Sequence, residues 1–574
     1  MKTLINKYII VVWAVSLFSS CIFDMDLKEV PKDFYSPENS FVSKENFESA
    51  IADIYKTIRN NLYMDPNSTY FMFGIDSDVN VRLDEDGPDG EPMYLEYMYW
   101  NTLNKDFGYA WVLWMFCYNW IYKANAVINR AEDEIAKLTD DEKAGIIAEA
   151  KFLRAFAYRF LANMYGDVPL VLNETTTPKF DFVKSPRAEV YRQCKEDLTE
   201  AIRYLKPVDQ LDAGRAPRAA AYHLLSEINI CLGDYQGAID AASAVINDPN
   251  FYLMTERFGV RTDFTFNGWT YQGPQRPWGD VFWDLFQEGN MDWKEGNHEC
   301  IWNVQMSPTI LGGGLTPSAG GMYFEAYNQT IWWGVTDING VDNLLKDTLS
   351  GRPNQSVVAN NYMSVLVWQY KGDWDRDIRN SEYNIQRDYY WENPESEFYG
   401  QLITRENMLD KEYWRRIVPP SFKKGVSAVH YGLSWDAYSQ QNHDNGQCFK
   451  DWYIMRLPET YLLRAEAYLR NGELQNAAND INVVRGRAKA TPVTASDVDI
   501  DLILDERARE LYFEEFRYNT LMRMGKLVER LHKYNENIIW RNYRIEDYKN
   551  LFPIPQSEIE ANKGGGLTQN PGYE

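Results

Sequence analysis

Histidine and cysteine are scarce in this chain, and their spacing excludes the simplest chemistries. The five histidines, His223, His298, His430, His443 and His532, form no HxH or HxxxH pair, so an imidazole metal site is not indicated. Of the six cysteines, Cys21 stands apart near the N-terminus, and no two of the others (Cys117, Cys194, Cys231, Cys300 and Cys448) sit at CxxC spacing. Five widely spaced cysteines make neither a disulfide framework nor a zinc ribbon. Cys117, Cys194 and Cys231 fall inside helical patterns and read as small buried hydrophobes. No GxSxG, GxxxxGK[ST] or post-strand GxGxxG occurs, so the common nucleophile and nucleotide signatures are missing. Positive charge is also in deficit. The net charge of −24 repels phosphate backbones and argues against nucleic acid, while neutral ligands need no steering field.

Long apolar runs are missing as well. Residues 8–18 form one apolar stretch, too short to span a bilayer, and nothing later reaches ~18 residues. The first 20 residues read as a targeting segment, with Lys2 and Lys7 as its basic start. Ser19 and Ser20 precede Cys21, and this pattern resembles a lipobox whose cysteine is diacylated and becomes the mature N-terminus. Phe18 stands where leucine is usual, with Leu17 one place early.

What is abundant is aromatic: 15% of the chain, with 19 Trp and 39 Tyr. The first half is helical in pattern. The spacing predicts helices over 44–61, with Phe47, Ile51, Ile54 and Ile58 on one face, and over 109–136. Ser36 before Pro37 reads as a helix start, and Ser185 before Pro186 as another. Thr139 and Glu142 form a capping box for a helix running to residue 165. Residues 218–232 and 235–247 make a helical pair that looks like a tetratricopeptide repeat. Gly233 serves as its turn, Ala238 as the small packing residue and Pro249 as the stop. A weaker echo has Gly472 and Ala477 in those roles, and residues 148–169 carry the first-helix pattern of another copy. Such repeats bury their faces only against neighbours, so several must stack. The fold class expected is mostly α: stacked tetratricopeptide-like helix pairs carrying a loop-rich aromatic insertion. The expected divisions are a leader at 1–20, a helical region at 21–250, the insertion at 251–451 and a helical C-terminal region at 452–574.

In the insertion helical periodicity fades while Gly, Pro, Asn and Trp rise. Seven tryptophans, Trp269, Trp278, Trp283, Trp293, Trp302, Trp332 and Trp333, lie between residues 251 and 345. An indole face is a flat apolar platform that matches the C–H face of a sugar ring. Adjacent Trp332 and Trp333 stand out, since neighbouring indoles rarely both point inward. Trp100 with Asn101 offers a platform with an amide beside it, and Asp78 and Arg82 are candidates for bonding sugar hydroxyls there. Trp269, Tyr271, Trp278 and Tyr323 complete the candidate ligand-binding set. Asp84, Asp86 and Asp89, in the sequence DEDGPDG, resemble part of a calcium loop. No acid falls at the twelfth position from Asp84, so a solvated acidic loop is the expectation and calcium the weaker alternative. Glu506, Glu510 and Glu514 lie at i, i+4, i+8 among Arg507, Arg509 and Arg517. Adjacent arginines keep acids ionised, whereas a glycosidase's general acid needs a raised pKa. The stripe therefore reads as a structural ion-pair network, and no catalytic residue is assigned.

The segments at 453–488 (YIMRLPETYLLRAEAYLRNG…), 502–525 (LILDERARELYFEEFRYNTLMRMG) and 551–573 (LFPIPQSEI…LTQNPGY), with RDIRNSEYNIQ at 376–386 ahead of them, together resemble the SusD-like (RagB/SusD) family. These are outer-membrane lipoproteins that bind nutrients and are not enzymes. The resemblance implies capture of an oligosaccharide at the cell surface, without a cofactor. It also implies a SusC-like TonB-dependent transporter as partner and a membrane anchor at Cys21. Asp24, Asp26 and Glu29 resemble the family's signal for display on the outer face. In such proteins the ligand site is built from the loop before the second helix and from the insertion. A peptide ligand is the alternative within the family; a glycoside hydrolase or a pure assembly scaffold would be alternatives outside it.

Overall fold

A computed structural model describes residues 40–64, 74, 77–82, 103–106, 108–266, 276–307, 310, 313, 335–343, 357–391, 393–411, 420–425, 450–540 and 542–574. The leader, Cys21 and the Ser36-Pro37 start lie outside these residues.

Helix α1 (Lys44–Arg59) buries Phe47, Ile51, Ile54 and Ile58, the predicted face, and is capped by Ser43 with Asn46 returning the bond. Beyond Arg59 the chain opens into a π turn, Asn60–Met64, which keeps Leu62, Tyr63 and Met64 inward. Helix α2 (Gly108–Glu132) leads to α3 (Asp140–Tyr165), whose start is the predicted box. Thr139 Oγ1 accepts the Glu142 N–H at 3.3 Å, and Glu142 accepts the Thr139 N–H at 3.0 Å. Helix α3 is the axis of the molecule, with every side chain from Phe152 to Tyr165 enclosed. Most of its polar groups find partners, as burial demands, though Arg159 Nε has none among the described residues. Arg154 holds Asp197 through two bonds of 2.8 and 2.7 Å, and Asn163 bonds Glu227 and Asn519 at 2.9 and 3.0 Å.

Helix α4 (Arg187–Tyr204) follows the predicted start, but the cap is Asp167, whose carboxylate accepts the Arg187 N–H at 2.8 Å. Ser185 instead pairs its backbone with Val168. The pair α5 (Arg218–Leu232) and α6 (Tyr235–Ile246) turns at Gly233, with φ of +75°. Only a residue at ease in the left-handed region closes a turn this way without strain. Ala238 is fully buried, and the Ser226 hydroxyl reaches its carbonyl at 2.9 Å, so the small residue sets the approach of the two helices.

The helices stack in sequence, α2 on α3, α3 on α4, α4 on α5 and α5 on α6. Helix α6 then packs on α7 (Leu457–Arg470), which pairs with α8 (Leu474–Arg487) across Gly472. The repeat array therefore continues through a pair more than 200 residues further along the chain. Helices α9 (Ile500–Leu511), α10 (Arg517–Met524) and α11 (Leu527–Tyr534) fold back over the array, α10 reaching α3.

Between these runs the described chain forms short antiparallel pairs. Strand β1 (Asn80–Arg82) pairs with β5 (Val357–Ala359), and β2 (Thr265–Phe266) pairs with β3 (Arg276–Pro277). Strand β4 (Cys300–Val304) pairs with β8 (Trp452–Arg456), and β6 (Ile385–Gln386) pairs with β7 (Ser421–Phe422). The β4–β8 ribbon ties together two segments about 150 residues apart and delivers the chain into α7. One hydrophobic core unites residues from Phe47 to Tyr573.

Candidate functional site

The strand pairs define where the candidate loops arise. Arg82 and Val357 are register partners at one end of the β1–β5 pair. The chain leaves Arg82 toward Trp100 and Asn101, and reaches Val357 after Tyr323, Trp332 and Trp333. The stretch with Tyr323, Trp332 and Trp333 is followed first by Val335, which packs with Tyr389, Trp391, Ile403 and Met408. The β2–β3 pair in turn brackets the stretch that carries Trp269 and Tyr271. Trp100, Asn101, Trp269, Tyr271, Tyr323, Trp332 and Trp333 themselves lie outside the described residues, as do Asp84, Asp86, Asp89 and the side chain of Arg82.

Two of the candidates are described, and neither lies on a surface. Asp78 is fully enclosed. Arg517 grips its carboxylate at 2.9 and 2.6 Å, and Arg530 adds a third bond of 2.6 Å. Burial alone would raise its pKa, but the two guanidiniums outweigh that and hold it down to about 2. The expectation that Asp78 bonds sugar hydroxyls is therefore corrected: its oxygens already serve two arginines. Trp278 is 4% exposed. Tyr383 meets its ring edge-on at 5.1 Å, and the Lys423 ammonium lies 5.4 Å from its centroid. It is a wall of the insertion's core and not a platform, which corrects its place in the ligand set.

The bases of the loops are anchored firmly. Besides Asp78, Asn80 accepts the Tyr512 hydroxyl, and Asn360 donates to Asp78 O at 2.8 Å and Tyr534 O at 3.0 Å. Phe422 of β7 packs 4.4 Å from the Tyr512 ring. A rigid base under variable loops is the usual way a scaffold holds a binding surface.

The carboxylate stripe is internal. Glu506 meets Arg379, Arg485 and Arg509, each at 2.8 Å. Glu510 meets Arg379 at 3.1 Å and Arg456 at 2.8 Å, and it also pairs with Arg487. Glu514 takes Arg456 and Lys424, both at 2.7 Å. Burial pushes the Glu510 carboxyl up, but Arg487, Arg456 and Arg379 bring it down to about 2, and the arginines likewise depress Glu506. Carboxylates held ionised in this way do not serve as general acids.

Several members of this network escaped sequence reasoning. Glu299 meets Arg456 at 2.6 Å and Arg487 at 2.7 Å, and Asp373 meets Arg485 at 2.6 Å. Glu299 is flanked by His298 and Cys300, with no periodic pattern to mark it. The signal that could have found Arg379 was the RDIR run: Asp377 grips Arg379 two residues on through bonds of 2.8 and 2.6 Å. Cys117, Cys194 and Cys300 are buried free thiols, and Cys231 is half-buried. Among the described residues no cluster could hold a metal ion, and no helix is long and apolar enough to cross a membrane.

Comparison with known proteins adds to this geometry. Residues 368–573 match the profile of the SusD family, and residues 33–230 match one described as starch-binding associating with outer membrane. The chain is 36% identical over 463 residues to the starch-binding protein SusD of Bacteroides thetaiotaomicron, covering 77% of this chain and 75% of that one. It is 22% identical over 571 residues to SusD-like protein P25 of Formosa agariphila, covering 96% of each. Among solved structures, surface glycan-binding protein A of Bacteroides thetaiotaomicron in complex with laminarihexaose aligns with a TM-score of 0.62 at 20% identity. That alignment covers 92% of this chain and 99% of that one. At that identity the likeness is one of fold.

Proposed function

Because the chain belongs to the SusD family, we propose that it is a binding protein of the outer cell surface that captures an oligosaccharide for uptake. The observation that carries this reading is its 36% identity, across three quarters of both chains, to a protein named for binding starch. The anchored β1–β5 pair supports it, since the stretch that carries Trp100 and Asn101 follows directly from β1 in sequence. Glu506 and Glu510, the acids a glycosidase reading would call on, are held ionised inside the ion-pair network, which speaks against that reading of the stripe. The finer parts of the proposal are a diacyl anchor at Cys21, exposure on the outer face, and a SusC-like TonB-dependent transporter as partner. The protein would then act as a lid that hands its ligand down, with no cofactor.

The test is a panel of α- and β-glucans and other oligosaccharides, with peptides alongside. Binding of one glycan class without release of shorter products supports the reading. Product release points to a hydrolase, and binding of peptides alone points to the peptide-uptake alternative.

A further inference from the structure

A cavity of about 380 Å³ lies between the outer face of α2, the segment at 169–182 and the C-terminal turn Gln556–Ala561. Trp114, Tyr118, Ile121 and Phe182 line it. Tyr122 and Phe180 at its rim are 50% and 55% exposed. Several of its polar groups are engaged from within. The Tyr118 hydroxyl donates to Pro169 O at 2.8 Å. Asn125 donates to Val171 O at 2.9 Å and accepts from Arg154 at 2.8 Å. Asn562 bridges both backbone groups of Phe182, at 2.7 and 2.8 Å. Lys179, largely exposed and screened by solvent, lies 3.8 Å from Asp181 and 5.3 Å from the Phe182 centroid.

Glu558 differs. It lines the cavity, yet among the described residues no hydrogen bond or ion pair engages its carboxylate. It sits near enough to Tyr118 that its charge joins burial, the larger cause, and other neighbours in pushing that phenol up.

These features narrow the ligand. An anion would meet Glu558 in a chain already at −24. A primary ammonium has three N–H groups to satisfy, and the wall offers one carboxylate. A quaternary ammonium has no N–H, is attracted to aromatic faces and needs one counter-charge. We propose that this cavity binds a small alkylated ammonium ion, with Glu558 as counter-ion and Tyr122, Phe180 and Trp114 as the aromatic wall. The site shares no residue with the proposed glycan loops, so it stands or falls separately from them.

Calorimetric titration of the mature chain with choline, and with its neutral carbon isostere dimethylbutanol, tests this. Saturable binding of choline is expected, with the isostere weaker by about tenfold or more. Glu558→Gln and Tyr122→Ala should each weaken choline by about tenfold or more while melting stays unchanged, since neither side chain is buried. The proposal is overturned if choline does not saturate, if the isostere binds equally well, or if Glu558→Gln binds choline like the parent. Choline-saturated protein should bind a glycan such as laminarihexaose as well as the free protein does. Competition between the two would make the cavity part of the glycan surface and sink the proposal.

Discussion

Asp78, just ahead of β1, and Arg517, at the start of α10, form a two-pronged ion pair across 439 positions of the chain, at 2.9 and 2.6 Å. Arg530 completes the arrangement from α11. The pair fastens the segment leading into β1 to the C-terminal helices, so the start of the candidate Trp100 stretch and the helical scaffold share one electrostatic joint.

Asp78→Asn should therefore lower stability by ~3–5 kcal/mol, because two buried guanidiniums lose their shared, fully enclosed carboxylate and are left with Glu515, Asp501 and Asp505. Chemical denaturation of the variant measures this. A variant within ~0.5 kcal/mol of the parent would mean that Asp78 is not the joint described.

The same carboxyl predicts an acid limb. Asp78 and Glu510 are both held down to about 2, against ordinary values of 3.8 and 4.5. A group depressed in the folded state stabilises fully above its unfolded pKa, and that stability drains as pH falls through the folded one. Melting temperature should thus hold near pH 5 and fall steeply between pH ~4.5 and 2, with a shallower fall in Asp78→Asn. An identical acid limb in parent and variant would contradict the assignment.

Glu510→Gln should cost ~3–5 kcal/mol of stability and leave glycan affinity unchanged in the folded fraction. Retained stability with loss of a hydrolytic activity would reverse the structural reading of the stripe.

The tryptophans should separate into two classes. Trp278→Ala and Trp302→Ala remove side chains that are 4% and 2% exposed, and each should cost ~3–5 kcal/mol of stability. Among Trp100→Ala, Trp332→Ala and Trp333→Ala, at least one should keep normal melting and lose about thirtyfold in glycan affinity. If all three lose stability and binding together, or none affects binding, the platform lies elsewhere.

Cys21→Ala should move the protein from the membrane to the soluble fraction. Each buried methylene of an acyl chain contributes ~0.8 kcal/mol to anchoring, and the variant has none. Recovery in membranes at the parent level, in cells lacking the transporter, would remove the anchor.

Local chemistry was legible in the sequence. The Thr139 and Glu142 box, the left-handed turns at Gly233 and Gly472, and the buried Ala238 and Ala477 all depend on neighbours within a few residues. Their hydrogen bonds and steric demands are written in adjacent positions, so periodicity and turn residues suffice to find them. The interleaved arginines pointed to an ion-pair role for the Glu506–Glu514 stripe, yet of them only Arg509 pairs with it, at Glu506, and Arg379, Lys424, Arg456, Arg485 and Arg487 reach it from elsewhere in the chain. What only the tertiary structure decided is which distant charges meet. Asp78 has no arginine nearer than Arg82 in sequence, and its partners lie more than 430 residues away. Whether a lone aspartate faces a ligand or a buried guanidinium depends on which helices fold over it. Trp278 shows the same limit: an indole serves equally as core or as platform, and only Tyr383, Lys423 and the chain packed around it made it a wall.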